Sequence, residues 1–573
     1  MTKLTNCLIT EEASESYSSR SPEPNFPTPN FPNLKTDASV NANSILRDAI
    51  SQHSSLEKAS FHTPGHKGRP RKTNVDLTTD VTELPGLDDL SHPTGVLANL
   101  NHTASAIWNT RSSLISVNGA SAGIVAAIMS VSTRGKKLVV PRNAHKSVIT
   151  GLVLSGLEPV WYTPEWNASW GVFDHIAPST LASLLEQNAA KGAGSLGDAE
   201  NPVDAADAND ASDANDGSSI AAVIVVSPTY AGAYSDMKTI GAICKRAGVA
   251  LIVDEAHGAH RFDLRPHSLT SRKTAPVERH LHSGMEAGAD IVVHSLHKTL
   301  GAMTQTGLVH LPHGSKITEG NLSHHLNMLQ STSPSYTLML SIEDALGELV
   351  GGELEKLGGD ACRESAGDTA VQRINRLARN LSLQLAGSEF QIYDTAYGTD
   401  TWHILMRHNT KNSTELFDYL LSRGIYPECE LGAGVLLMLG VGTNEDDITF
   451  LLEALNDFKT QTILEAVNDF KALNDFEAAN QFERLNKADA QASSVSILAQ
   501  PPSVDQVMTP RTASMALSEQ VAIADAENLI ASECIAPCPP GIPICVPGQR
   551  LTKEVLNQIP KDHVRIVQKS SAH

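Results

Sequence analysis

No stretch of the chain approaches the roughly 18 uninterrupted apolar residues of a spanning helix, so nothing in the sequence argues for a membrane-embedded protein. Basic charge is scarce: 44 Lys and Arg stand against 64 Asp and Glu, a formal net charge of −20. Binding to nucleic acid or an anionic membrane needs clustered Lys and Arg, so that class is disfavoured. A cationic small-molecule substrate suits the balance better. The Gly-x-x-x-x-Gly-Lys-Ser/Thr phosphate loop is absent, which removes the helicase reading of Asp254-Glu255-Ala256-His257. Seven cysteines, an odd number without regular pairing, make no disulfide framework and read as reduced thiols. Met1 to Cys7 runs into Glu11-Glu12 without an apolar segment, so no secretory leader is expected and the location is read as cytoplasmic.

What is present is enough apolar residue for more than one core, because 573 residues exceed the size at which a single core keeps growing. Residues 1–42, rich in Ser, Pro and Asn, are expected to form a disordered tail. An amino-terminal segment, 43–112, begins with the helical spacing of Ile45, Leu46, Ala49 and Ile50. From 113 to 346 the pattern is that of a large domain. The apolar runs Leu114–Val117, Leu138–Val140, Ala221–Val226, Ala250–Val253 and Ile291–Val293 are continuous rather than alternating. Such runs mark strands covered on both faces, hence a mainly parallel sheet with crossover helices.

Residues 189–219 interrupt that domain with a low-complexity acidic stretch, read as a solvated insertion loop. A smaller α/β domain is expected over 347–459. A spacer over 460–514 follows; the Ala-Leu-Asn-Asp-Phe-Lys type of repeat straddles its start, at 454–477. A carboxyl-terminal subdomain, 515–573, carries the proline-rich run Pro537–Gly548.

Strand ends supply the chemistry. In open α/β sheets ligands collect at the carboxyl ends of strands. Lys298 lies just past the run Ile291–Val293, in His294-Ser295-Leu296-His297-Lys298, and Asp254 ends the run Ala250–Val253, with His257 three residues on. A lysine to form a Schiff base and an aspartate for a pyridinium nitrogen are what pyridoxal phosphate chemistry asks of a protein. Asn118-Gly119-Ala120-Ser121-Ala122-Gly123 opens a helix whose backbone N–H groups, with the Ser121 hydroxyl, suit a phosphate. His145 follows the run Leu138–Val140 and is placed to stack on a flat ring, and Ser295 to add a phosphate hydrogen bond.

The ordered set Phe61–Gly68, Asp80–Asp88, Asn118–Gly123, Arg142–Ser147, Val253–His260, Ser295–Gln305, Asp236–Lys238, Gly424–Glu428 and Pro539–Gly548 resembles the pyridoxal-phosphate-dependent Orn/Lys/Arg decarboxylases. The resemblance implies an aspartate-aminotransferase-like (PLP fold type I) α/β architecture of the short type, without an amino-terminal receiver-like domain. It also implies a homodimer or higher homo-oligomer with interfacial sites. The implied reaction is decarboxylation of arginine, lysine or ornithine, through an aldimine with pyridoxal 5′-phosphate, to an amine of polyamine biosynthesis.

By the same resemblance Lys298 is similar to the Schiff-base lysine, Asp254 to the partner of the pyridine nitrogen and His145 to the ring-stacking histidine. His257, Ser295, His297, Gly119, Ala120 and Ser121 match positions lining the cofactor. Lys298, His145 and His297 all stand as donors of the final proton. The chain departs from the family at Ala120, where Thr or Ser is common, at Cys538, where Tyr is common, and at Gln549, where Glu is common. The core cofactor residues do not by themselves decide which bond breaks. An aminotransferase or aldolase-type enzyme, or an inactive pyridoxal-binding regulator, is therefore the competing reading, and the flanking motifs favour decarboxylation.

Overall fold

The computed structural model describes residues 45–55, 77–193, 219–261, 283–350, 369–474 and 500–568. The expected tail 1–42, the Phe61–Gly68 motif and most of the acidic stretch lie outside the described residues.

Seven strands form the main sheet: β1 (Ser112–Ser116), β2 (Lys137–Pro141), β3 (Glu158–Tyr162), β4 (Ile220–Val226), β5 (Ala250–Asp254), β6 (Ile291–Ser295) and β7 (Gly307–Leu311). Their order across the sheet is β1-β7-β6-β5-β4-β2-β3. Only β7 runs antiparallel to its neighbours, β1 and β6; every other pairing is parallel. The continuous apolar runs have the expected cause. Leu138, Val140, Ile224, Ile252 and Val293 pack on one face, against a core that includes Ile124, Ile128, Val148 and Ile149. Val139, Val223, Val225, Leu251 and Val253 pack on the other, with Leu181, Leu185, Ile240 and Ile243. Each fully buried aliphatic side chain of this kind stabilises the fold by about 1.5–3 kcal/mol relative to exposure.

Helices covering the sheet start and stop on local chemistry. Gly119–Ser130 (α1) follows β1, and Gly119 takes φ +73°, a conformation open to glycine at no steric cost. Lys146–Ser155 (α2) is capped by the His145 ring and closed by Gly156 at φ 78°. Met237–Ala247 (α3) begins on Asp236, whose side chain accepts from the Thr239 N–H.

Two strands were not legible beforehand. β3 contains Pro159 and sits at the sheet edge, and β7 carries His310 inside an otherwise apolar segment. His310 is tolerated because Ser113 Oγ and His294 Nδ1 lie 2.7 and 3.1 Å from its ring nitrogens.

A second, four-stranded sheet comprises β8 (Phe390–Ile392), β9 (His403–His408), β10 (Cys429–Leu431) and β11 (Gly434–Met438), in the order β8-β9-β11-β10 and antiparallel throughout. Helices Ala370–Leu385 and Ser413–Ser422, each opened by a capping box, pack their apolar faces into its core. Residues 454–474 of the repeated segment belong to the long helix Glu445–Asn474, and its last three residues lie outside the described residues. Near the carboxyl end, β12 (Ser518–Ala522) and β13 (His563–Val567) pair antiparallel. Among the described residues no helix is long and apolar enough to cross a membrane.

Candidate active site

β5 and β6 run side by side and parallel, with Asp254 opposite Val293, so both strands end on the same rim. One residue beyond β6 the chain turns into a single helical turn, Leu296–Thr299, which carries Lys298 back over that rim. A cavity of about 320 Å³ opens there. Lys298, Asp254, His257, Ser295 and His297 line it from the β5 and β6 ends. Gly119, Ala120 and Ser121 line it from the start of α1, and His145 from the start of α2. All nine residues expected from the sequence therefore face one space. A larger cavity, about 490 Å³, lies at the opposite rim around Ser219, Ile220, Gly248 and Val249, where strands begin, and contains none of these groups.

Lys298 Nζ lies 2.8 Å from His257 Nε2. Burial lowers the lysine pKa, against the opposing fields of Asp254 and Glu428. Burial likewise raises the Asp254 carboxyl, which is only 6 % exposed, while Lys298 and the Ala256 N–H oppose the rise. The Ala256 N–H donates to Asp254 Oδ1 at 3.2 Å. A carboxylate so placed gains most from a cation seated against it.

His145 is pushed down to about 4 by burial, then by Lys298 and Lys146, so its ring is neutral at ordinary pH. Its Nδ1 accepts from the Ser147 N–H at 3.2 Å, which fixes the plane of the ring. At the start of α1, Asn118 makes no side-chain cap, leaving first-turn N–H groups for a ligand. Gly307 lets β7 pass beneath this turn: a Cβ there would come within 2.8 Å of the Ala120 nitrogen. Ser295 Oγ and His297 Nδ1 are 3.2 Å apart, and burial lowers the His297 pKa.

A lysine, a buried carboxylate, a neutral flat ring and an anion-receptive helix start within one cavity are the donor set that pyridoxal phosphate needs. The profile of the Orn/Lys/Arg decarboxylase major domain matches residues 45–418, and that of the family's C-terminal domain matches 489–570. The chain belongs to the Orn/Lys/Arg decarboxylase family. It is therefore a pyridoxal-phosphate-dependent amino-acid decarboxylase by family. Uncharacterized protein YaaO of Bacillus subtilis is 29% identical over 526 residues, covering 90% of this chain and 94% of that protein. Arginine decarboxylase of the same organism is 26% identical over 532 residues, covering 90% and 93%. In fold, the chain is similar to the constitutive lysine decarboxylase of E. coli, with a TM-score of 0.66 at 20% identity over 92% of this chain and 82% of that one.

Residues that the sequence reading left out also surround His257. Tyr230, after β4, lies edge-on to His257 at 5.0 Å between ring centroids, and its hydroxyl donates to Glu428. His403, at the start of β9, lies 2.9 Å from His257 Nδ1. No local motif marks His403. Only the contact between the two sheets brings it to His257.

The proline-rich carboxyl-terminal run also reaches the cavity, through Pro540 and Ile542. It is held there by Arg142, which donates to the carbonyls of Pro543 and Ile544, and by the Lys146 N–H, which donates to the Gly541 carbonyl at 2.9 Å. Gln549 is different. It is buried within the carboxyl-terminal unit, where its Oε1 accepts from the Val546 N–H at 3.1 Å, so this departure from the family lies in a turn and not in the cavity lining.

Proposed function

We propose that this chain decarboxylates a basic amino acid, arginine, lysine or ornithine, to the corresponding amine in polyamine biosynthesis, as a cytoplasmic homodimer or larger homo-oligomer. The observation that carries the reading is the convergence of Lys298, Asp254 and His145 on one cavity beside the helix start at Gly119. Arginine is the first substrate to test, since relatives matching nine-tenths of the chain include arginine decarboxylases.

Bound pyridoxal phosphate supplies a carbonyl that captures amines and a ring that takes up the electron pair left when carbon dioxide departs. The protein's own residues do the rest. Lys298, whose pKa burial lowers, presents a nucleophilic amine to that carbonyl. Asp254 would hold a proton at the ring nitrogen and so deepen the electron sink. His145 would stack on the ring, and Gly119, Ala120, Ser121 and Ser295 would hold the phosphate. With Ala120 in place of a hydroxyl residue, the backbone amide serves there. His257 orients Lys298. Lys298 is the favoured donor of the final proton, because His145 is neutral above about pH 4 and burial lowers the His297 pKa too.

Two measurements test the reading: carbon dioxide release from arginine, lysine and ornithine, and borohydride fixation of the cofactor. Lys298→Ala is expected to abolish turnover and the fixed adduct together. An adduct that survives in the variant would assign the covalent role to another residue.

A further inference from the structure

Lys298 is the first member of a buried chain of nitrogen and oxygen atoms that leads away from the cavity. Its Nζ is 2.8 Å from His257 Nε2, and His257 Nδ1 is 2.9 Å from His403 Nε2. His403 Nδ1 lies 3.3 Å from Asp400 Oδ2, an ion-pair contact oblique to hydrogen-bond geometry. Asp400 Oδ1 is 3.2 Å from His260 Nε2 and accepts from the Trp402 N–H at 3.0 Å. His403 and Asp400 side chains are 0 % and 1 % exposed. The backbone is shaped to admit them, since a Cβ on Gly232 would come within 2.7 Å of the His403 Cβ.

The carboxylate fixes the direction of the chain. Burial alone would raise Asp400, but His260 and His403 outweigh it and hold the carboxyl well below its usual range. The field of the ionised carboxylate favours the His403 tautomer with its proton on Nδ1, facing Asp400, which leaves the Nε2 lone pair toward His257. His257 then donates from Nδ1 and turns its own Nε2 lone pair toward Lys298. Each neutral imidazole is thereby set to take a proton on one nitrogen while giving one from the other.

We propose that His257, His403 and Asp400 form a proton relay that draws a proton from Lys298 Nζ to His403, beside Asp400, and returns it when Lys298 acts as a donor. The balance is simple. An N–H bond of the lysine ammonium breaks as one forms at His257 Nε2, and the His257 Nδ1–H bond breaks as one forms at His403 Nε2. A neutral amine remains at Lys298, and the positive charge sits on His403 next to the carboxylate. His257 and His403 are positioning residues for Lys298. Asp254, Glu428, Cys538 and His145 face the lysine end, and Arg261, Tyr234 and His260 face the Asp400 end.

This inference rests on the reading of Lys298 as the reactive lysine, and the two fail separately. The test uses the full-length chain freed of pyridoxal phosphate, with trace acetylation of Lys298 by acetic anhydride followed by the mass of its peptide. In His403→Gln, whose amide oxygen still accepts from His257 but takes no proton, labelling at pH 7 is expected to slow about tenfold, one pH unit. Asp400→Asn is expected to slow it similarly, because the acceptor loses its counter-charge. A purely electrostatic or structural role predicts the opposite sign for Asp400→Asn, since losing a negative charge disfavours the ammonium and speeds labelling. Unchanged or faster labelling in either folded variant overturns the relay. If one variant does not fold, the other decides. Failure of borohydride to fix the cofactor on the Lys298 peptide of the wild-type chain would overturn the functional reading instead, whatever the acetylation shows.

Discussion

His145, His257, His294, His297 and His310 are all driven toward their neutral forms by burial. His310, fully buried, is pushed down to about 3, below the ordinary value of 6.5. The unfolded chain therefore binds more protons than the folded one between those values. Stability from such a group is complete above about pH 6.5 and is lost as the pH falls toward 4. By pH 4 the loss from His310 alone is about 3 kcal/mol. Thermal melts between pH 7 and 4 should show Tm dropping steeply across this window, and less steeply in a variant where His310 is replaced by a non-titrating residue of similar size. A flat profile would mean that these rings remain solvated.

At the scale of elements, the carboxyl-terminal segment is part of the site's wall rather than an appendage. Gly541 takes φ +79°, and a Cβ there would come within 2.8 Å of the His145 Cδ2. Gly541→Ala should tilt that ring off its plane and weaken pyridoxal phosphate binding about tenfold, within the 1–3 kcal/mol range of an overpacking change. Titration of the cofactor against the full-length variant measures this. Unaltered affinity with an intact fold would detach His145 from the ring. Replacing Arg142 by Leu removes its donors to Pro543 and Ile544 and should act in the same direction, by releasing the segment that carries Pro540 and Ile542.

For the whole molecule, the relation between the two sheets matters most. His403 starts a strand of the four-stranded sheet, yet it bonds to His257 at the rim of the seven-stranded one, so the environment of Lys298 depends on how the sheets pack. Near the cavity, Met303 is 50 % exposed, and Thr304 and Gln305 beside it are exposed too. A second copy of the chain covering this edge fits the homo-oligomer proposed above. Sedimentation should give at least twice the mass of one chain, and a strictly monomeric active enzyme would contradict it.

The residues that could be read from the chain alone were those whose meaning is local. A continuous apolar run ending in Asp254, another followed by Lys298, and small residues opening a helix at Gly119 each announce a strand end or helix start. Parallel strands bring such ends to one rim, so the large sheet and nine cavity-lining positions followed from the sequence. Strands β3 and β7 did not, because Pro159 and His310 are acceptable only through an edge position and a buried partner that lie elsewhere in the chain. His403, Asp400 and Tyr230 were equally silent, each an ordinary polar residue until folding sets it against a residue far off in sequence. Backbone pattern is encoded within a few neighbours. The protonation and orientation of Lys298 are decided by contacts between separate elements, 41 residues apart to His257 and a further 146 from there to His403, and only tertiary packing creates those.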